Sequence, residues 1–399
     1  MSLLPIDDYM RRSTGFDIHT RDELKEYQLK KLNETLKKVH SGYYSFLPEH
    51  INSLEDMRQL PFTTQEELTQ NHRQMLISSS SEVARIISGN TSGTTGSPKK
   101  IYYTKEDIDD LLDFFECGFC ELIEEGSKAM ITMPFTGENG LGELIDTSIR
   151  RFGAATLCVG AGNTYSYLDR VMEKECPDVY VGTPCSLLSL ARACPHLSIK
   201  RACISADTVP PNVYRILSEV YGIELFITYG SRELCLGGAE TCSAHNGMHM
   251  RENHFIAEII DEKGNVLPDG YEGELVITGI GMHALPLIRY RTGDITRIIP
   301  GKCSCGSITR RMEPTNRILE GMDIASFDDE VFTVPQVIDY SLSMINGALV
   351  FDVLLKERTA PSVIEDSIAH VAEGMEVSIK TSLFSEESKG YYPVKRRIV

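Results

Sequence analysis

The sequence predicts an α/β fold: a large N-terminal domain of parallel α/β sheets plus an antiparallel β segment, followed by a small mobile C-terminal α+β domain. Three observations predict it. Through the first half, short apolar runs alternate with helical stretches, the pattern of a parallel sheet covered by helices. Past Met248 the rhythm changes to strand-like segments joined by Gly264-Asn265 and Asp269-Gly270 turns. From Gly321 onward the composition shifts again. The expected domains are therefore residues 1–320 and 321–399, with a hinge near Glu320–Asp323.

The elements follow in order. Residues 22–39 place Leu24, Tyr27, Leu29, Leu32, Leu36 and Val39 near one helical face, with Lys and Glu between them. Thr63, Thr64 and Glu66 form a capping-type helix start. Strands are expected at 83–87 and 101–103, and a helix at 105–119. The runs 129–133, 156–159, 179–181, 202–205 and 225–228 read as buried strands, and a glycine-bearing turn at 136–142 leads into a helix. Residues 254–260, 274–278 and 295–299 read as antiparallel strands. Residues 349–355, 362–371 and 376–383 read as strand, helix and strand.

The chain has 399 residues and a formal charge of −17, from 40 Lys and Arg against 57 Asp and Glu. Its ordinary apolar content argues against a disordered chain. Its acidity makes it a poor general binder of nucleic acid. No apolar run approaches the roughly 18 residues of a membrane span, and the first residues lack a signal peptide's apolar stretch. Eleven cysteines without a secretory signal argue for a reducing compartment, so a cytoplasmic protein is expected.

The sharpest local signal is Thr91-Ser92-Gly93-Thr94-Thr95-Gly96-Ser97-Pro98-Lys99. Glycines let the backbone approach an anion, hydroxyls add donors, and Lys99 adds a point charge. The spacing is not that of a Walker loop. This nonapeptide resembles the phosphate loop of the adenylate-forming superfamily of acyl-CoA synthetases, adenylation domains and luciferases. Tyr229-Gly230-Ser231-Arg232-Glu233, Gly273-Glu274-Leu275 and Tyr290-Arg291-Thr292-Gly293-Asp294 resemble later motifs of that superfamily, in the same order. Leu60-Pro61-Phe62-Thr63-Thr64, Glu138-Asn139-Gly140-Leu141-Gly142 and the stretch from Leu285 to Asp294 narrow the likeness to phenylacetate-CoA ligase-like enzymes. Coenzyme F390 synthetases are similar in the same places.

The resemblance implies ATP-dependent activation of an aromatic or heteroaromatic acid as acyl-adenylate, then transfer to coenzyme A. It implies that Ser92, Gly93, Thr94, Thr95, Gly96 and Lys99 hold the β- and γ-phosphates and that Glu233 holds Mg²⁺. Asp294 would bind the ribose hydroxyls, with Tyr229 and Gly230 on one side of the adenine and Ala206 and Asp207 on the other. Arg310 stands near a nucleotide-contacting arginine, and Lys395, with Lys389 second, near a catalytic lysine. Phe135, Thr136, Gly140, Leu141 and residues 180–184 would line the acyl pocket. Arg232 departs from the superfamily, which has Thr or Ser there; either Arg232 or Ser231 would then meet the α-phosphate. The hinge motif is blurred into Arg317–Asp323. These departures leave open a non-CoA acceptor, such as a carrier protein, or a nucleotide-binding homologue without turnover. A homodimer is implied by the resemblance alone.

A second constellation is separate. Cys303-Ser304-Cys305 and the earlier Cys242, His245 and His249 offer thiolates and imidazole for a tetrahedral structural zinc. The expected ligands are Cys242, His249, Cys303 and Cys305, with His245 as alternate. Some phenylacetate-ligase-like proteins carry this set. Cys158, Cys185, Cys194 and Cys203 sit in apolar runs as small hydrophobes.

Overall fold

The computed structural model describes residues 4–89, 99–316 and 323–390. By contacts the chain divides into two compact units, Met1–Glu121 with Thr228–Glu320, and Leu122–Ile227 with Gly321–Val399. One boundary lies at 320/321, as the sequence suggests, but the packing groups residues 321–399 with 122–227.

In the second unit, strands Ala155–Cys158, Lys128–Ile131, Val179–Gly182, Arg201–Ile204 and the start of Glu224–Tyr229 lie side by side in that order, all parallel. Helices Leu141–Arg151, Tyr165–Glu175 and Pro184–Ala193 alternate with them. Val179–Gly182 is buried at every position, which is why it reads as a continuous apolar run. Residues 323–390 add helices Ile324–Val331 and Pro361–Ile368 and a three-stranded sheet. There Ala348–Leu355 pairs antiparallel with Val337–Ile345 and parallel with Val377–Leu383. The helix at 324–331 and the strand at 337–345 were not expected from the sequence.

One hydrophobic core joins both parts of this unit. Leu187, Leu190, Val213 and Leu217 share it with Phe327, Val331, Phe332, Tyr340 and Phe351. Buried Arg192 donates to the carbonyls of Phe332 at 2.6 Å, Val337 at 2.5 Å and Val334 at 3.1 Å. The Tyr165 hydroxyl donates to Asp339 at 2.5 Å. Arg192 thus ties together carbonyls of the turn into Val337–Ile345, where the Val334 carbonyl also accepts from the Val337 amide at 3.1 Å.

The first unit opens with helices α1 (Pro5–Thr14) and α2 (Arg21–Val39). The sequence reading missed α1, although Pro5 stands at its start and Ile6, Tyr9 and Met10 are buried along it. Thr20 and Glu23 close a capping box on α2. Leu24, Leu32, Leu36 and Val39 are buried as expected, whereas Tyr27 and Leu29 are half-buried. Gln28 is buried in their place because its amide donates to the Glu252 carbonyl at 2.9 Å. Val83–Gly89 and Lys99–Thr104 form an antiparallel pair, followed by the helix Lys105–Leu122.

Two antiparallel arrangements complete this unit. Thr228 and Tyr229 pair with Ala239–Thr241, which continues to Met248–Met250, Arg311–Met312 and Ile298–Ile299. Phe255–Ile260, Gly273–Gly279 and Tyr290–Thr296 form a second sheet. The expected third strand at 295–299 is therefore two strands. Gly293 takes φ +74° and the register slips opposite it, so the ladder bulges there. Ile298–Ile299 then pairs with Arg311–Met312 instead.

Replacing Arg192 by leucine should cost about 3 kcal/mol or more of unfolding free energy, since several buried carbonyls lose their donor. Urea denaturation would measure this, and hydrogen exchange should rise first across residues 332–340.

Candidate functional site

Three separate motifs meet in the first unit. Lys99 begins the strand Lys99–Thr104, Glu233 lies on the short turn Arg232–Leu234, and Tyr290 opens the strand Tyr290–Thr296. Lys99 Nζ forms an ion pair with Glu233 Oε1 and donates to the Tyr290 hydroxyl at 3.3 Å. Both charged residues are buried, 5% and 8% exposed, so neither charge would persist there without the other. Burial alone would push the Glu233 carboxyl up; the charge and hydrogen bond of Lys99, with Arg232 beside it, hold it below its ordinary value.

A second pair flanks the same stretch. The Tyr229 hydroxyl donates to Asp294 Oδ2 at 2.8 Å, and both residues are buried. The bulge at Gly293 lets Asp294 turn out of the ladder, while its amide donates to Thr292 Oγ1 at 3.0 Å and the Gly293 amide donates to Glu274 at 3.1 Å. Gly230 has a steric reason. A Cβ there would collide with the Leu236 carbonyl, which folds back over it. The Ser231 hydroxyl is shielded from solvent and has no hydrogen-bond partner among the described residues. Arg232 is half-buried, and its carbonyl accepts from Tyr103 at 2.6 Å.

The remaining expected residues fall as follows. Ser92, Gly93, Thr94, Thr95, Gly96 and Lys395 lie outside the described residues, as do Arg317–Met322 of the hinge motif. In the second unit, Ala206 takes φ +66° and Asp207 accepts from the Thr208 amide at 2.9 Å, a tight turn after the strand Arg201–Ile204. Lys389 bridges to Thr164. Around the expected acyl pocket, the Glu143 carboxylate accepts from the amides of Thr136 at 3.2 Å and Gly137 at 2.6 Å, which fixes that loop. The Tyr180 hydroxyl is taken up by Thr132 at 2.9 Å. Arg310 donates to buried Glu252 at 2.9 Å, which Arg21 also grips, and faces a cavity of about 650 Å³ lined by Arg21, Lys25, Arg58 and Lys302. Its hydrogen bonds go to Glu252 and the Ala257 carbonyl.

Sequence reasoning missed two buried ionic centres that hold this scaffold. Arg289, at φ +45°, pairs bidentately with Glu258 at 2.9 and 3.1 Å. It also donates to the carbonyls of Arg58 at 2.8 Å and Leu60 at 2.6 Å, and its guanidinium stacks 4.1 Å over Phe62. The Leu60–Thr64 and Leu285–Asp294 motifs are thus one physical object: the Thr63 amide donates to the Arg289 carbonyl at 2.9 Å, and the Arg291 amide to the Thr63 carbonyl at 3.0 Å. Glu252 is the second centre, held below its ordinary value against burial by Arg310 and Arg21. Neither centre is marked locally: Glu252 lies in the turn before Phe255–Ile260 and Arg289 just ahead of Tyr290–Thr296.

The thiol–imidazole set is also brought together. The ligand atoms of Cys242, His249, Cys303 and Cys305 all lie within 4.8 Å of one another. His249 Nε2 is 3.3 Å from Cys305 Sγ, and its Nδ1 meets the Thr309 hydroxyl at 2.8 Å. His245, the alternate ligand, is not in the group.

Fold and motifs together define an adenylate-forming enzyme. The AMP-binding enzyme family matches residues 23–284, and the chain belongs to that family. Among individual relatives, phenylacetate-coenzyme A ligase of Aromatoleum evansii is 30% identical over 308 residues, covering 70% of this chain and 68% of the relative. The ligase of the same name from Pseudomonas putida is 29% identical over 346 residues, covering 79% and 77%. Among solved structures, a 2-hydroxyisobutyryl-CoA ligase in the postadenylation state superposes with a TM-score of 0.77 at 16% identity, over 94% of this chain and 90% of that one. That likeness establishes the fold. No helix among the described residues is long and apolar enough to cross a membrane.

Because Glu233 is held below its ordinary value, its contribution to stability is present above the unfolded carboxyl pKa and is lost as pH falls through its folded pKa. Lys99→Met should therefore destabilise the protein by about 3 kcal/mol or more at pH 7. The difference from wild type should shrink as pH drops through the carboxyl range. Thermal unfolding of both proteins between pH 7 and pH 4 would check the sign.

Proposed function

We propose that this protein is an AMP-forming acid–CoA ligase, with an aromatic or heteroaromatic acid as substrate. The observation that carries the reading is the convergence of Lys99, Glu233 and Tyr290 beside the Tyr229–Asp294 pair, in a chain of the AMP-binding family. In the first half-reaction a carboxylate oxygen of the acid attacks the α-phosphorus of ATP, and pyrophosphate leaves. In the second, the thiol of coenzyme A loses its proton and its sulfur attacks the acyl carbon, and AMP leaves. The phenylacetate-CoA ligases among the relatives support this substrate class.

The residues suit these steps. Lys99 is positioned to exchange its carboxylate partner for phosphate oxygens as ATP binds, with Ser92, Gly93, Thr94, Thr95 and Gly96 beside it. The Glu233 carboxylate so released fits a hard cation, and Mg²⁺ there would neutralise charge on the polyphosphate. The Ser231 hydroxyl, shielded and without a partner among the described residues, supports a contact to the α-phosphate, with Arg232 adding positive charge. Asp294 can accept from two ribose hydroxyls; Tyr229, Gly230, Ala206 and Asp207 would border the base. Phe135, Thr136, Gly140 and Leu141 would hold the acid. Lys389 and Lys395 would come from residues 321–399, which pack with 122–227 around one core and so do not form a separate mobile domain. Cys242, His249, Cys303 and Cys305 would hold a structural zinc: three thiols and an imidazole at this spacing form a closed tetrahedral set. We further propose a cytoplasmic homodimer.

Carboxylate-dependent ATP–pyrophosphate exchange, without coenzyme A, is the deciding measurement. Exchange should appear with aryl or arylacetic acids; its absence with every acid, while ATP still binds, would remove the ligase reading. Asp294→Ala should weaken ATP binding by roughly 2–3 kcal/mol, the loss of charge-assisted hydrogen bonds, as read by calorimetry. Metal analysis of the purified protein should find stoichiometric zinc that survives dialysis.

A further inference from the structure

We propose that the Cys242–His249–Cys303–Cys305 centre fastens helix α1, and that Asp7 on α1 in turn helps retain the metal. This rests on the zinc reading above. Its basis is an unbroken chain of hydrogen bonds. Ser307 Oγ donates to Asp7 Oδ1 at 2.7 Å. The hydroxyls of Ser307 and Thr309 are 3.1 Å apart, and Thr309 Oγ1 lies 2.8 Å from His249 Nδ1. Nε2 of that ring faces Cys305 Sγ at 3.3 Å. Asp7, Ser307, Thr309 and His249 are buried, and Cys305 is half-buried.

The directions of these bonds are mutually consistent. With Ser307 donating to Asp7, its oxygen is open to the Thr309 hydroxyl; Thr309 then accepts from Nδ1–H. That assignment leaves Nε2 deprotonated and turned toward the thiols, the tautomer a metal needs. An acceptor hydrogen-bonded behind a ligating imidazole orients the ring and raises its basicity. Here the final acceptor, the Asp7 carboxylate, belongs to α1, roughly 240 positions away in the chain from His249 by residue number.

Helix α1 has further ties to this region: the Ile308 amide also donates to Asp7, and Ile308 packs against the cluster that holds Met10. Ile6 and Tyr9 pack on Phe114 and Cys117, Arg251 donates to the Tyr9 hydroxyl at 2.5 Å, and Asn253 donates to Ser13 at 2.7 Å. Asp7 reaches the segment that carries Cys303 and Cys305. Coupling between sites is reciprocal in binding free energy: if the metal orders the segment that Asp7 grips, α1 must be better docked when metal is bound, and Asp7 must tighten metal binding, which slower release would report.

The test uses the full chain loaded with zinc, with two readouts: zinc release to excess EDTA, and hydrogen exchange of residues 5–14 with and without metal. Thr309→Val should release zinc about 10-fold faster. Asp7→Ala should release it about 3-fold faster or more, with Asp7→Asn, which keeps an acceptor, between it and wild type. In wild type, stripping zinc should raise exchange across α1; in Asp7→Ala that response should vanish. Ser307→Ala, which changes no residue of α1 but removes its hydrogen bond to Asp7, should reproduce the release phenotype. Wild-type release rates in both Asp7→Ala and Ser307→Ala, with α1 exchange indifferent to metal, would overturn the coupling while leaving the zinc site intact. A wild-type protein that holds no metal would instead overturn the zinc reading, and the coupling with it.

Discussion

The buried ion pair between Lys99 and Glu233 is the interaction on which the site depends. Each charge makes the other tolerable in a place from which water is nearly absent. Each also belongs to a different stretch of chain, and Tyr290 brings in a third. The pair therefore does more than neutralise charge. It fixes the end of the segment that follows the Ser/Thr/Gly-rich loop against the turn after the strand Glu224–Tyr229 and against the bulged strand that presents Asp294. A carboxylate and an ammonium stored against each other are also what a site needs if it is to receive a polyanion and a divalent cation together. Each protein charge then finds a new partner of the right sign, and no buried charge is left alone.

Within each unit an arginine holds an irregular stretch of chain. Arg289 clamps two motif stretches by using every face of its guanidinium: a carboxylate, two carbonyls and an aromatic ring. Arg192 does the same for three carbonyls in the second unit. In both places a planar, permanently charged group satisfies backbone acceptors at an irregular connection, where no ladder can. The consequence is that loops and turns near the site are set by side-chain geometry as much as by regular secondary structure.

Much of this was legible in the sequence, and the exceptions are instructive. The parallel strands announced themselves because burial on both faces leaves runs such as Val179–Val181 wholly apolar. The motif residues Lys99, Glu233, Tyr229 and Asp294 were found through resemblance, and the Cys/His set through ligand chemistry. What failed was whatever depended on distant partners. Gln28 reads as a surface residue until Glu252 supplies its acceptor. The partners of Arg310 in this structure, Glu252 and the Ala257 carbonyl, were likewise not readable from its position along the chain. Tyr290–Thr296 was not read as a strand, since Arg291, Gly293 and Asp294 break the apolar alternation; the bulge that makes sense of them is a property of the paired register. Glu252 and Glu258, the acids that anchor the scaffold, carry no local mark at all.

The core shared by residues 122–227 and 324–372 has a consequence for how the chain is made. During synthesis the apolar strands of the parallel sheet emerge first, but the residues that finish their core lie about a hundred positions later. At about 5–20 residues per second, that interval is on the order of 5–20 seconds. Through it, the faces of Leu187, Leu190 and Leu217 wait for Phe327, Phe332 and Phe351. A ribosome stalled before Gly321 would hold a half-built domain with its greasiest surface outward, and chaperone demand should peak in that window.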